Sequence, residues 1–224
     1  MSPPLRLRPP VRLPPLPLPL ARRRDIVFLG AYDHPPNFDA AIVLVRDIMP
    51  LVWERVPDAR VMLVGDCVPP EVAALAGERV EVTGHVPDLG VVWQRARMSV
   101  SPLRYGAGVK GKIIEALRAG VPVVTTPLGN EGIALESGVE ALIGVTPSEI
   151  AAYVIHLYED PDALVALATA GHRVIRERFS RERARADILD ALGSGVSAVS
   201  TAPIIPIDQA SSPLRPDQPA SAGS

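Results

Sequence analysis

The chain has 224 residues, 47% of them hydrophobic, with 23 Lys and Arg set against 25 Asp and Glu for a formal net charge of −2. This is enough apolar material for one good-sized domain, and the near-balance of charge leaves no global field to recruit nucleic acid. Aromatics at 4% argue against a base-stacking platform, the lone Cys67 excludes an internal disulfide or a cysteine metal cluster and fits a reducing cytoplasmic setting, and no apolar run is long enough to span a membrane.

In chain order, residues 1–24 (MSPPLRLRPPVRLPPLPLPLARRR) form a proline- and arginine-rich segment. Its proline density excludes a helix and an ordinary signal peptide and predicts an extended, disordered stretch. The alternative is that it is not a functional element but the product of a misassigned start or a frameshift. Strands are expected at Ile26–Gly30, Arg60–Gly65, Val80–Thr83, Met98–Ser101, Val121–Thr125 and Ala141–Val145. Between and after them the pattern predicts helices at Phe38–Val56 (capped by Asn37, kinked or broken at Pro50), Pro70–Ala76, Leu89–Arg95, Lys110–Ala119, Pro147–Tyr158, Pro161–Phe179 and Arg181–Leu192. Residues 193–224 are rich in Ser, Ala and Pro and are expected to be a disordered tail.

Runs such as VMLVG and VPVVTT are apolar on both faces, which suits strands covered by helices on either side. Their alternation with helical segments predicts an α/β domain over 25–192, a doubly wound, Rossmann-like parallel sheet. Ligands of such sheets bind beyond the carboxyl ends of the strands. The loops expected there are Gly30–Asn37, Gly65–Pro70, Gly84–Asp88, Pro102–Gly111 and Pro127–Ile133.

One of these loops opens the most informative stretch, YGAGVKGKIIEALRAGVPVVTT over Tyr105–Thr126, which holds the only two lysines of the chain. Gly106, Gly108 and Gly111 allow close backbone approach and positive φ. A helix start supplies unbonded amides and a favourable dipole for an anion. Lys110 and Lys112, two residues apart, can serve one phosphate group only if the loop or first helical turn positions them. Glu115, early on the helix, could accept hydrogen bonds from ribose hydroxyls. The plainer readings are an exposed Lys112–Glu115 ion pair and an ordinary strand-to-helix turn. Gly106-x-Gly108-x-x-Gly111 also matches the dinucleotide fingerprint literally, with Glu131 twenty residues past Gly111. Yet Leu103, Arg104 and Tyr105 separate the strand from Gly106, and the next strand ends in threonines, so the context of that fingerprint is missing.

The segments FLGAYDHPPNFDAA, PDARVMLVG, VEVTGHVPDL, SPLRYGAGVKGKIIEALRAGVPVVTTPLGNEG and RERFSRERA, in that order over about residues 25–190, resemble the carboxyl-terminal, donor-binding half of a glycosyltransferase of the two-Rossmann-domain (GT-B) class, in the large retaining family four. The resemblance implies a nucleotide-diphospho-sugar donor, UDP- or GDP-linked, and no cofactor or metal. It puts the ribose on Glu115, the diphosphate on Lys110 and Lys112 as the catalytic pair, and the sugar and phosphates against Gly106, Ala107 and Gly108. The base falls near His85 and Val86, and Glu131 lies where family members approach the sugar or diphosphate.

This sequence departs from the pattern in three ways. Ala107 stands where many members have a second, sugar-contacting glutamate. The segment Tyr32–Asn37 lacks the arginine and lysine many carry after the first strand. An amino-terminal acceptor domain is expected in a full enzyme, and only residues 1–24 precede the first strand here. The implied function is therefore hexosyl transfer with retention, to a sugar or lipid acceptor, with the acceptor domain supplied as a separate subunit and peripheral membrane association left open. The alternatives are a non-catalytic or truncated donor-binding module and a nucleotide-sugar epimerase, which would also need both halves. His34 beside Asp33 could form an acid/base pair but reads more simply as a turn before Pro35-Pro36. His156 and His172 read as surface residues, Cys67 as an inert thiol, and Arg173–Arg185 as a solvated helical face.

Overall fold

The computed structural model describes residues 20–179. The proline-rich stretch 1–19, the expected helix Arg181–Leu192 and the tail 193–224 lie outside the described residues.

The strands are β1 (Asp25–Leu29), β2 (Arg60–Val64), β3 (Val80–Gly84), β4 (Ala96–Ser101), β5 (Val123–Thr125) and β6 (Leu142–Ile143). They form one parallel sheet in the order β3-β2-β1-β4-β5-β6, with β1 paired to β2 from Asp25↔Arg60 to Leu29↔Val64 and β4 to β5 from Ser99↔Val123 to Ser101↔Thr125. The order reverses beside β1, which places a crevice at the carboxyl ends of β1 and β4.

Side chains alternate across the sheet, so each apolar strand feeds two cores. Ile26, Phe28, Val61, Leu63, Met98, Val100 and Val124 enter one cluster, with helices α1 (Pro35–Val43), α2 (Met49–Arg55) and α6 (Pro147–Glu159). Val27, Met62, Val64 and Val123 enter the other, with α4 (Leu89–Arg95) and α5 (Gly111–Arg118). A one-turn helix, α3 (Pro70–Ala73), buries Val72 on the first face. The last described helix, α7 (Pro161–Arg178), serves both clusters: Leu164, Leu167 and Ala168 pack on the first, Val174 and Ile175 on the second.

Two expectations are corrected, the start of the first helix and the exposure of His172. The helix expected over Phe38–Val56 begins at Pro35, and its N-cap position is His34; Asn37 lies inside the first turn and is 8% exposed. The interruption expected at Pro50 is present, just ahead of that residue. A π turn at Leu44–Ile48 joins α1 to α2, with Pro50 in the first turn of α2. This is where a residue without an N–H, whose ring crowds the carbonyl four residues back, is accommodated by widening the turn before it. His172 is half-buried rather than a surface residue, its Nδ1 3.1 Å from the Leu117 carbonyl. At the start, the Arg23 guanidinium is buried and donates to the Trp93 and Ala96 carbonyls at 2.9 and 3.2 Å, so the packed body extends ahead of β1.

Candidate functional site

The loop from β4 to α5 is fixed at its root by the end of β5. Thr125 Oγ1 donates to the Ser101 carbonyl at 2.8 Å, and Thr126 Oγ1 to the Leu103 carbonyl at 2.6 Å. Beyond Leu103 the chain lies down on the amino end of α1. Arg104 engages both carboxylate oxygens of Asp39, with Nε to Oδ2 at 2.9 Å, and Tyr105 Oη donates to the Pro35 carbonyl at 3.0 Å. Gly106 and Gly108 adopt φ of +112° and +83°, conformations L-residues rarely reach, and a Cβ on Gly106 would sit 3.0 Å from Pro36 Cγ. Between loop and helix lies a hollow of about 170 Å³, lined by Asn37, Gly106, Ala107, Lys110, Gly111 and Lys112, together with His34 and Tyr105.

Both lysines reach this hollow because Lys110 occupies the N-cap position of α5 and Lys112 its first turn, so helical geometry does not separate them. Lys110 is buried; its Nζ donates to the Gly108 and Gly106 carbonyls at 2.5 and 3.2 Å and lies 3.8 Å from Glu131 Oε2. Lys112 Nζ donates to Asn37 Oδ1 and sits 4.7 Å from the centre of the Phe28 ring. Burial, and then the charge of Lys110, lowers its pKa from 10.5 to about 8. Asn37 Nδ2 donates to the Ala31 carbonyl at 2.7 Å. Gly30 leaves the space this requires: a Cβ there would meet Asn37 Cγ at 2.7 Å and Lys112 Nζ at 2.8 Å.

Of the residues singled out in the sequence, the structure brings together Gly106, Ala107, Gly108, Lys110 and Lys112, with Glu131 attached through Lys110. Glu131 belongs to the turn after β5, whose Gly132 has φ +75° and would place a Cβ 2.8 Å from Val109 Cγ2, so this turn packs on the glycine loop. Glu115 lies one turn further along α5, outside the lining of the hollow. It pairs with Arg118 at 3.5 Å rather than with Lys112, which corrects the plainer ion-pair reading. His85 and Val86 follow β3 at the same edge of the sheet, again outside the hollow; His85 Nδ1 is 2.8 Å from Asp66 Oδ1, and Val86 packs half-buried on the second core. Asn37, read from the sequence as a helix cap, is the residue the sequence reading missed here. A larger hollow of about 420 Å³ lies at the opposite edge, by the amino ends of β1 to β3. Two of its carboxylates are already engaged, Asp25 and Glu81 pairing with Arg95 at 2.8 and 2.7 Å. Parallel sheets place ligands at the other end.

Residues 23–160 match the family model described as "Glycosyl transferases group 1". An uncharacterized 44.6 kDa protein in the cps region of Klebsiella pneumoniae is 21% identical over 168 residues, which cover 71% of this chain and 43% of that protein. Among solved structures, Anabaena HepE in complex with UDP and glucose is similar with a TM-score of 0.65 and 18% identity, over 79% of this chain and 50% of that one. The C-terminal domain of a group 1 family glycosyl transferase, LpcC, from Francisella tularensis is similar with a TM-score of 0.54 and 14% identity, over 71% of this chain and 87% of that domain. The chain thus spans about half the length of the full-length relatives it matches.

Proposed function

The chain belongs to the glycosyl transferases group 1 family, and from that premise we propose that it binds a nucleotide-diphospho-sugar at the glycine-loop hollow and serves as the donor-binding half of a retaining hexosyltransferase. The carrying observation is the convergence of the only two lysines of the chain on one small hollow walled by the positive-φ Gly106 and a helix start. UDP in the HepE complex supports a nucleoside diphosphate as the ligand class. In this reading Lys110 and Lys112 face the diphosphate, and the amides of the loop and of the first turn of α5 add fixed dipoles. Glu115 holds the ribose one turn down the helix, and the His85–Val86 loop meets the base. Glu131 stands beside the sugar and withdraws from Lys110 when phosphate oxygens take that lysine.

Transfer then breaks the bond from the sugar anomeric carbon to the diphosphate oxygen and forms one to an acceptor hydroxyl, whose proton passes to the departing phosphate. The ammonium groups stabilise that phosphate without a metal ion. The acceptor, a sugar or lipid hydroxyl, is brought by a second domain that also excludes water. A hexose-transfer assay with UDP- and GDP-sugars, run with and without an amino-terminal acceptor domain supplied in trans, tests this. The expected product keeps the anomeric configuration of the donor by NMR. Donor binding without transfer under both conditions would favour a binding module instead.

A further inference from the structure

The Asn37–Lys112 contact joins two side chains that line the hollow. Asn37 is more than nine-tenths buried, and both ends of its amide are engaged, Nδ2 on the Ala31 carbonyl and Oδ1 on the Lys112 ammonium. A half-buried ammonium such as that of Lys112 is commonly matched by a carboxylate. Here the matching group is neutral. The charged and titratable groups around Lys112 do not cancel it: Lys110 adds like charge, Glu131 is turned to Lys110, Asp39 on α1 is held by Arg104, and His34 lines the mouth. The Phe28 ring beneath offers only a quadrupole. Gly30 is shaped to this arrangement, since any Cβ would collide with both partners.

We propose that Asn37 is a positioning residue that aims the Lys112 ammonium into the hollow while leaving its positive charge uncompensated for an anionic diphosphate. The inference rests on the proposed donor site and concerns a residue of its wall that acts through Lys112. A carboxylate at this position would keep an acceptor for the lysine and offset its charge, while giving up the amide donation to the Ala31 carbonyl. Asn37→Asp therefore tests the charge, read against Asn37→Ser, which gives up the same donation without adding charge.

The test uses the full chain and two readouts. With only two lysines in the sequence, Nζ or Cε NMR of lysine-labelled protein gives at most two side-chain titrations, assigned by Lys110→Arg and Lys112→Arg. Calorimetry with inorganic pyrophosphate and with UDP gives affinity. Asn37→Asp should raise the Lys112 titration midpoint and weaken both ligands by about tenfold or more at pH 7. Asn37→Ser, which shortens the reach without adding charge, should weaken the ligands while leaving the midpoint at or below that of the parent. An unchanged Lys112 midpoint in folded Asn37→Asp, or undiminished pyrophosphate affinity in that variant while Lys112→Met abolishes it, would overturn the inference. If the parent chain binds neither pyrophosphate nor UDP, the donor-site reading fails, whereas the NMR titrations still decide whether Asn37 sets the charge of Lys112.

Discussion

In the proposed donor site Lys112 faces the diphosphate, and its charge is its most testable property. Its pKa in the folded chain, about 8, lies below the 10.5 of an unperturbed lysine. Between those values the unfolded chain binds the proton that the folded one has lost, so this group makes stability rise with pH from about 8 to 10.5; below pH 8 both states hold the proton and its slope vanishes. A diphosphate favours the ammonium and raises the pKa, so binding near pH 8 should take up protons. Calorimetry in buffers of different ionisation enthalpy should show this uptake in the parent and not in Lys112→Arg, and affinity should fall as pH rises past 8 in the parent alone. Gly30→Ala probes the same spot sterically. Overpacking against Asn37 and Lys112 should cost about 1–3 kcal/mol in urea unfolding and weaken nucleotide binding. The lysine pair and its glycines are legible in the sequence because they are local, within seven residues from Gly106 to Lys112. The Asn37 contact is not, because it joins positions 75 apart and exists only once β1, α1 and α5 are in place.

Among the elements, strand identity was legible because β-branched runs bounded by turn residues leave little ambiguity, and α4 was placed residue for residue at Leu89–Arg95. The harder element was the α1–α2 run. Its apolar pattern continues through Pro50, and sequence periodicity of 3.6 cannot register a single wide turn at Leu44–Ile48. Its start lies ahead of the expected one, at Pro35. Asn is a strong N-cap residue in general, but Pro35 and Pro36 suit the first helical positions and carry the start back to His34. Helix α6 offers a control distant from the site. Thr146 accepts from the Glu149 amide at 3.2 Å while Glu149 Oε2 accepts from the Val145 and Thr146 amides at 2.7 and 3.1 Å. Those amides hold the Glu149 carboxyl below its usual range, so its contribution is present above the unfolded pKa and is lost as pH falls through the folded one. Thr146→Ala should cost about 1 kcal/mol in denaturant unfolding and leave UDP affinity unchanged.

Across the whole described domain, two cores share one sheet, and α7 crosses from one to the other. The crossing falls at Gly171, where a Cβ would meet Leu117 Cδ2 at 2.6 Å and the Glu140 carbonyl at 2.8 Å. Gly171→Ala should therefore displace α7 from α5 and destabilise the fold by about 1–3 kcal/mol, read by thermal or urea unfolding. The doubly wound sheet could be anticipated from two-faced apolar strands alternating with helices. The sequence could not show that one helix would serve both faces, because a shift of core partner along a helix leaves no mark in its periodicity.

Whether the lysine pair at the glycine loop holds a nucleoside diphosphate is decided by titrating UDP and GDP into the parent chain and into a Lys110→Ala/Lys112→Ala variant, with circular dichroism to confirm that both are folded. If the pair holds it, at least one nucleotide binds the parent saturably and the double variant loses about a hundredfold or more in affinity. Equal affinity in the two folded proteins, or no binding of either nucleotide to the parent, would overturn the assignment.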